Sequence, residues 1–142
     1  MTRLTIITIC SILIISCNPK NCDNDANIKV SDLLLYHTSN RNINYCEMLE
    51  YAVKGNKEIL NDFLELEIYD SAGYDHGLVL IKLIEHIGET KFLELTKSLS
   101  NKSKSMNLNY LEAGILYGSK NQSIDSLAVK FPTLIKEWSF EK

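Results

Sequence analysis

Two hydrophobic patterns divide this chain. The first is a dense block: Leu4 to Ile15 is a nearly unbroken apolar run, with Arg3 before it and Ser16, Cys17 and the polar Asn18-Pro19-Lys20 after it. A helix that spans a bilayer needs about 20 apolar residues at a rise of about 1.5 Å each, so this run is too short to span. A positive start, a short apolar centre and a small-residue end are the anatomy of a cleaved secretory signal. A cytosolic protein with an apolar first helix is the competing reading. Asn18 to Asn27, NPKNCDNDAN, offers almost nothing to bury, and its Asn, Asp and Pro favour turns and solvated coil. It reads as a flexible tether.

The second pattern starts at Ile28, where apolar residues recur at helical spacing between glycines and asparagines. Ser31 can cap a helix from Asp32 to His37, with a strand from Ile28 to Tyr36 as the alternative. Asn42 or Asn44 caps a helix to Lys54 that buries Ile43, Cys46, Leu49, Ala52 and Val53, and Gly55 terminates it. Asn56 caps the next helix, with Ile59, Leu60, Phe63 and Leu64 inward. The period breaks over Tyr69 to Tyr74, YDSAGY, which predicts a loop. Asp75 then caps a helix whose Leu78 to Ile87 residues are apolar more than half way round, a pattern that predicts a central element. Gly88 ends it, and Glu89 to Leu99 supplies a partner helix. Ser100 to Ser105 reads as a polar loop, Asn107 opens a helix to Tyr117, and Gly118 closes that helix. Ser123 caps Ile124 to Lys130, and Pro132 starts a last helix carrying Leu134, Ile135 and Trp138. No alternating run is long enough for a sheet. The expectation is all-α: a small bundle or a short stacked array of αα-hairpins. The chain divides into a signal at 1–16, a cysteine and tether at 17–27, and one helical domain at 28–142.

Charge changes the picture by exclusion. Of 15 basic residues only Arg3 lies in the signal, so the mature chain sets 14 against 18 acidic residues, a net charge of −4. Nucleic acid demands a clustered basic surface, and Arg41 is the single arginine left, so nucleic acid is not an expected partner. The 126 residues after the signal suffice for one core. Cys22 and Cys46 remain besides Cys17. A bridge between them is one reading; a thiol in a mobile tether and a small core residue on a helix's apolar face are the other.

The four residues Ile14-Ile15-Ser16-Cys17 resemble the lipobox of bacterial lipoproteins, with a branched apolar residue, a tolerant position and a small residue before the cysteine. The resemblance implies that Cys17 receives a diacylglyceryl group, is cleaved at its amino side and is acylated there, palmitate being the kind of chain expected. Two or more chains hold firmly in a bilayer. Cys10 is no rival site, because Ile9 before it is bulky and the apolar run continues past it. Asn18 in place of the aspartate that retains many lipoproteins at an inner membrane favours the outer membrane. Separately, Leu49 to Leu66, LEYAVKGNKEILNDFLEL, resembles the inner half of an ankyrin-type αα repeat. Leu83 to Leu95 offers the same helix-glycine-helix rhythm, although the hallmark Thr-Pro-Leu-His is absent.

Candidate chemistry gathers at Asp70, Tyr74, Asp75, His76, Glu85 and His86. A His-Asp pair suits acid-base work and His-carboxylate sets suit zinc. Yet His76 and His86 are ten residues apart on one predicted helix, about 15 Å of rise, and cannot share an ion. Asp75 is explained as a cap and His86 by the helix dipole. His37 has no partner close in sequence, and no HExxH, GxSxG, phosphate-loop or paired CxxC signature occurs. No metal, cofactor or catalytic residue is therefore expected. Tyr69 and Tyr74 flank the predicted loop, and Tyr110 and Tyr117 share one face of the later helix. Such rings suit a binding surface or cover the edge of a core. The expected function is that of a membrane-anchored envelope protein with a protein-binding domain, one form being an immunity-type inhibitor. The alternatives are an enzyme or metal binder at Asp75-His76 and a structural envelope protein.

Overall fold

The computed structural model describes residues 22–118 and 125–139. The signal segment, Cys17, Ser123 and Ile124 lie outside the described residues. Among the described residues eight helices follow in order: α1 (Asp32–Ser39), α2 (Tyr45–Val53), α3 (Lys57–Leu64), α4 (Asp70–Ile87), α5 (Glu89–Leu95), α6 (Asn101–Gly118), α7 (Asp125–Lys130) and α8 (Pro132–Ser139). The fold is all-α, with no strand among the described residues. None of these helices is long and apolar enough to cross a membrane.

Several ends form for the local reasons the pattern suggests. Ser31 is extended and its Oγ accepts from the Leu34 amide at 3.1 Å, which settles α1 as a helix and excludes the strand. The α2–α3 joint turns on Gly55, whose φ of 77° lies in the left-handed region open to glycine. Asn56 then caps α3 by accepting from the Ile59 amide at 3.1 Å. Gly88, at φ 86°, terminates α4, and Pro132 opens α8.

The two 18-residue helices α4 and α6 form the central pair. Helices α1 and α2 lean on α4, α3 bridges α2 and α5, and α8 closes against α6 and α5 with α7 beside it. One continuous apolar core joins all eight, from Leu34 through Phe63, Leu83 and Leu111 to Trp138. At the α4–α6 crossing the backbones touch. A Cβ on Gly77 would stand 2.7 Å from the Tyr110 carbonyl carbon, and one on Gly114 would stand 2.5 Å from that of Gly77. Only glycine lets two helices approach this closely.

Four expectations are corrected here. Tyr69 to Tyr74 is not a loop: α4 begins at Asp70, so Asp75 lies inside the helix and is not its cap. Gly73, spaced four residues from Gly77, faces Tyr110 of α6 and marks a contact stripe where local reading sees a break. Ser100 to Ser105 is not a loop either. Ser100 Oγ accepts from the Ser103 amide at 3.1 Å, and α6 runs from Asn101, so Asn107 sits in mid-helix and does not open it. Asn107 is fully buried, and its Nδ2 donates to the carbonyls of Leu64 at 2.6 Å and Ser103 at 2.7 Å. A polar residue there satisfies the end of α3, where carbonyls have no partner within the helix. Helix α5 stops at Leu95, short of Leu99, with the Thr96 hydroxyl bonded to the Phe92 carbonyl at 2.9 Å. Finally α2 starts at Tyr45, and Asn44 makes no side-chain cap bond. Tyr45 is buried there, while Ile43 and Cys46 are half-buried.

Candidate functional site

The residues singled out by sequence do not converge on one site. The structure sends them to the core, to the seams between helices and to the surface. His76 goes to the core. Its ring is fully enclosed, 5.1 Å from the ring of Tyr110, 5.3 Å from Phe63 and 5.7 Å from Tyr45 between centroids. Nδ1 shares a 2.7 Å hydrogen bond with the Tyr45 hydroxyl, and Nε2 is buried without a partner. Burial alone pushes the imidazole down to about 3, because a charged ring here would lose its hydration. Burial, and secondarily the charge of Asp75, pushes the Tyr45 hydroxyl well above its ordinary range. Both groups are neutral near pH 7 and closed to solvent. Acid-base chemistry needs a group that titrates near the working pH within reach of a substrate, and His76 offers neither condition.

Asp75 joins two elements. Its carboxylate accepts from Ser31 Oγ, the same hydroxyl that caps α1, so the start of α1 is fastened to α4. His86 stays exposed in the last turn of α4, where the helix dipole favours a cation. Among the described residues no group of three or more His, Cys, Asp and Glu side chains is placed to hold a metal ion.

The tyrosines divide. Tyr110 belongs to a seam: its hydroxyl accepts from the Ile68 amide at 2.8 Å and donates to the Ile68 carbonyl at 2.9 Å, tying the segment that leads into α4 onto α6. Tyr74 and Tyr117 meet at the surface, stacked at 4.4 Å with planes 16° apart. They are 39% and 69% exposed. Tyr69 stands in a different setting, which sequence reading missed. Its hydroxyl donates to Glu67 at 2.6 Å, the Arg41 guanidinium lies 5.6 Å above its ring, and the His37 ring meets it edge-on at 6.3 Å. Lys102 pairs with Glu67 at 3.4 Å. The Tyr69 hydroxyl and Lys102 hold the Glu67 carboxyl below its usual range, and the same bond raises Tyr69. Arg41 and Lys102 lie 26 and 35 positions from Glu67 in sequence, so no spacing signals the cluster.

Cys22 and Cys46 form a disulfide with Cα atoms 5.0 Å apart. The chain after Cys22 is held as well. Asn24 brackets Ile28, donating to its carbonyl and accepting from its amide, both at 2.9 Å. The bond leaves Cys46 at the margin of an open recess of about 570 Å³ between α1 and α2, lined also by Leu35, Tyr36 and Ile43.

No protein-family model, curated protein or solved structure matches the chain.

Proposed function

We propose that the mature chain is an envelope lipoprotein, anchored by lipid on Cys17, whose helical domain recognises another protein through the face carrying Tyr74 and Tyr117. The observation that carries the recognition reading is the stacked, exposed ring pair on the rigid α4–α6 crossing. Two aromatic rings already ordered against each other lose little freedom on binding, and tyrosine is enriched at the energetic centres of interfaces. The lipid anchor is supported by the lipobox residues. The Cys22–Cys46 bond agrees with it, since disulfides persist in oxidising compartments outside the cytoplasm. The net charge of −4 suits a basic partner, as an inhibitor of a cationic toxin would meet. Burial of His76 and the structural use of Asp75 remove the motive for an enzyme or metal site there.

The test is capture of a partner from envelope extract and culture fluid by the oxidised protein, repeated with Tyr74→Ala and Tyr117→Ala. A stoichiometric partner retained by the wild type and lost from both folded variants is expected. A partner retained equally by the variants refutes this surface. Cys17→Ser tests the anchor: the protein should leave the membrane fraction, and unchanged partitioning into detergent refutes lipidation there.

A further inference from the structure

We infer that the Cys22–Cys46 disulfide decides which side of the domain meets the membrane, setting the α1–α2 face around Tyr36 against the headgroups of a zwitterionic bilayer. This rests on the reading of Cys17 as lipid-anchored, and adds to it an orientation and a contact surface.

The argument is one of length. Four residues lie between Cys17 and Cys22, making five Cα-to-Cα steps. Fully extended they reach at most about 18 Å. As a flexible coil they span about 12 Å. A domain of this size has a radius of gyration of about 14 Å, hence a diameter of about 35 Å. The leash is shorter than the body it holds, so the far side of the domain cannot turn to the bilayer. Without the disulfide the chain would first be fastened at Ile28, which is buried and bracketed by Asn24. Ten residues would then intervene, eleven Cα-to-Cα steps with a reach of up to about 40 Å. The bond halves the tether and moves its attachment to Cys46 at the start of α2.

The surface beside that attachment has the chemistry of a headgroup contact. Tyr36 is 67% exposed at the recess that Cys46 borders, and Leu33, one turn earlier on α1, is also exposed. Leu35 and Ile43 line the same recess with Ser39, Asn42 and Asn44 between them. A tyrosine, with an apolar body and a polar tip, is favoured at the level of lipid headgroups, and the polar neighbours can bond ester and phosphate oxygens. Asp32 in this recess and Asp23 and Asp25 in the one at Cys22 outnumber Lys29 there, with Glu50 paired to Lys54, so this surface opposes an anionic bilayer and matches the ammonium of phosphatidylethanolamine. Helix α7 packs on α6 and α8, and its Val129 is 84% exposed. It serves as the reference position.

The experiment uses the full lipidated protein, oxidised, in vesicles of phosphatidylethanolamine and phosphatidylcholine with brominated acyl chains. Tyr36→Trp and Val129→Trp are compared by quenching of their added emission, with the buried Trp138 as constant background. Flotation and the mass of the amino-terminal peptide are recorded alongside. The expected result is flotation of both, with quenching of Tyr36→Trp at least twofold stronger, and loss of that difference when Cys22→Ser and Cys46→Ser are added to a chain that keeps its helical circular dichroism. Equal quenching at the two positions in floating, disulfide-bonded protein overturns the orientation while leaving the anchor in place. Failure to float, with Cys17 unmodified by mass, overturns the anchor and the orientation with it.

Discussion

Acid should destabilise this protein through its buried His76. Burial holds the folded imidazole at about 3, against an ordinary value of 6.5. Below pH 6.5 the unfolded chain therefore binds a proton that the folded chain refuses. Stability from this source is fully present above pH 6.5, is lost as pH falls, and stops changing below about 3. At ~1.36 kcal/mol per pH unit, the whole gap amounts to ~5 kcal/mol. That is comparable with the entire stability of a modest domain, about 5–15 kcal/mol. Between pH 6.5 and 5 the loss is ~2 kcal/mol, enough to lower a urea midpoint by about 1 M. Urea titration followed by far-UV circular dichroism at several pH values from 7.5 to 5 measures it. Glu67, held low by Tyr69 and Lys102, loses its contribution only as pH drops below 4.5. His76→Gln keeps a hydrogen-bonding partner for Tyr45 but cannot titrate, so its stability should stay flat over the same range. Equal slopes in the wild type and His76→Gln would refute the assignment.

Three further outcomes follow from the packing. Gly77→Ala and Gly114→Ala each place a carbon against unyielding backbone, so each should cost about 1–3 kcal/mol, read as a lowered melting temperature. Gly118, where the atoms nearest an added carbon belong to the movable Leu78 side chain, should tolerate alanine better. Asn107→Leu removes the donor that serves Leu64 and Ser103, and should cost about 1–3 kcal/mol by urea titration; a neutral result would show that the buried carbonyls do not need it. Reducing the disulfide frees a loop whose ends are 24 residues apart, a loss of about 3.5 kcal/mol in the chain-entropy account. The melting temperature should fall on adding reductant, and should not move in Cys22→Ser.

The sequence by itself determined what is local. Ser31 and Asn56 carry oxygens that meet amides three residues on, Gly55 and Gly88 supply the positive φ that ends a helix, and Pro132 has no amide to leave unpaired in a first turn. These arrangements are set within a few residues, so spacing and residue type reveal them. The dense apolar face of α4 likewise announced a central helix. What only the tertiary structure decided are positions where a residue's local tendency and its distant partner disagree. Gly73 looks like a break until α6 is brought against it, and Asn107 looks like a cap until it meets the carbonyl of Leu64, 43 residues away. His76 beside Asp75 looks like chemistry until three rings close over it and Ser31 takes the carboxylate. Even the stacking of Tyr74 on Tyr117 depends on the glycine crossing that sets α4 against α6. Helical periodicity records which face of a segment is apolar; it carries no record of what that face will touch.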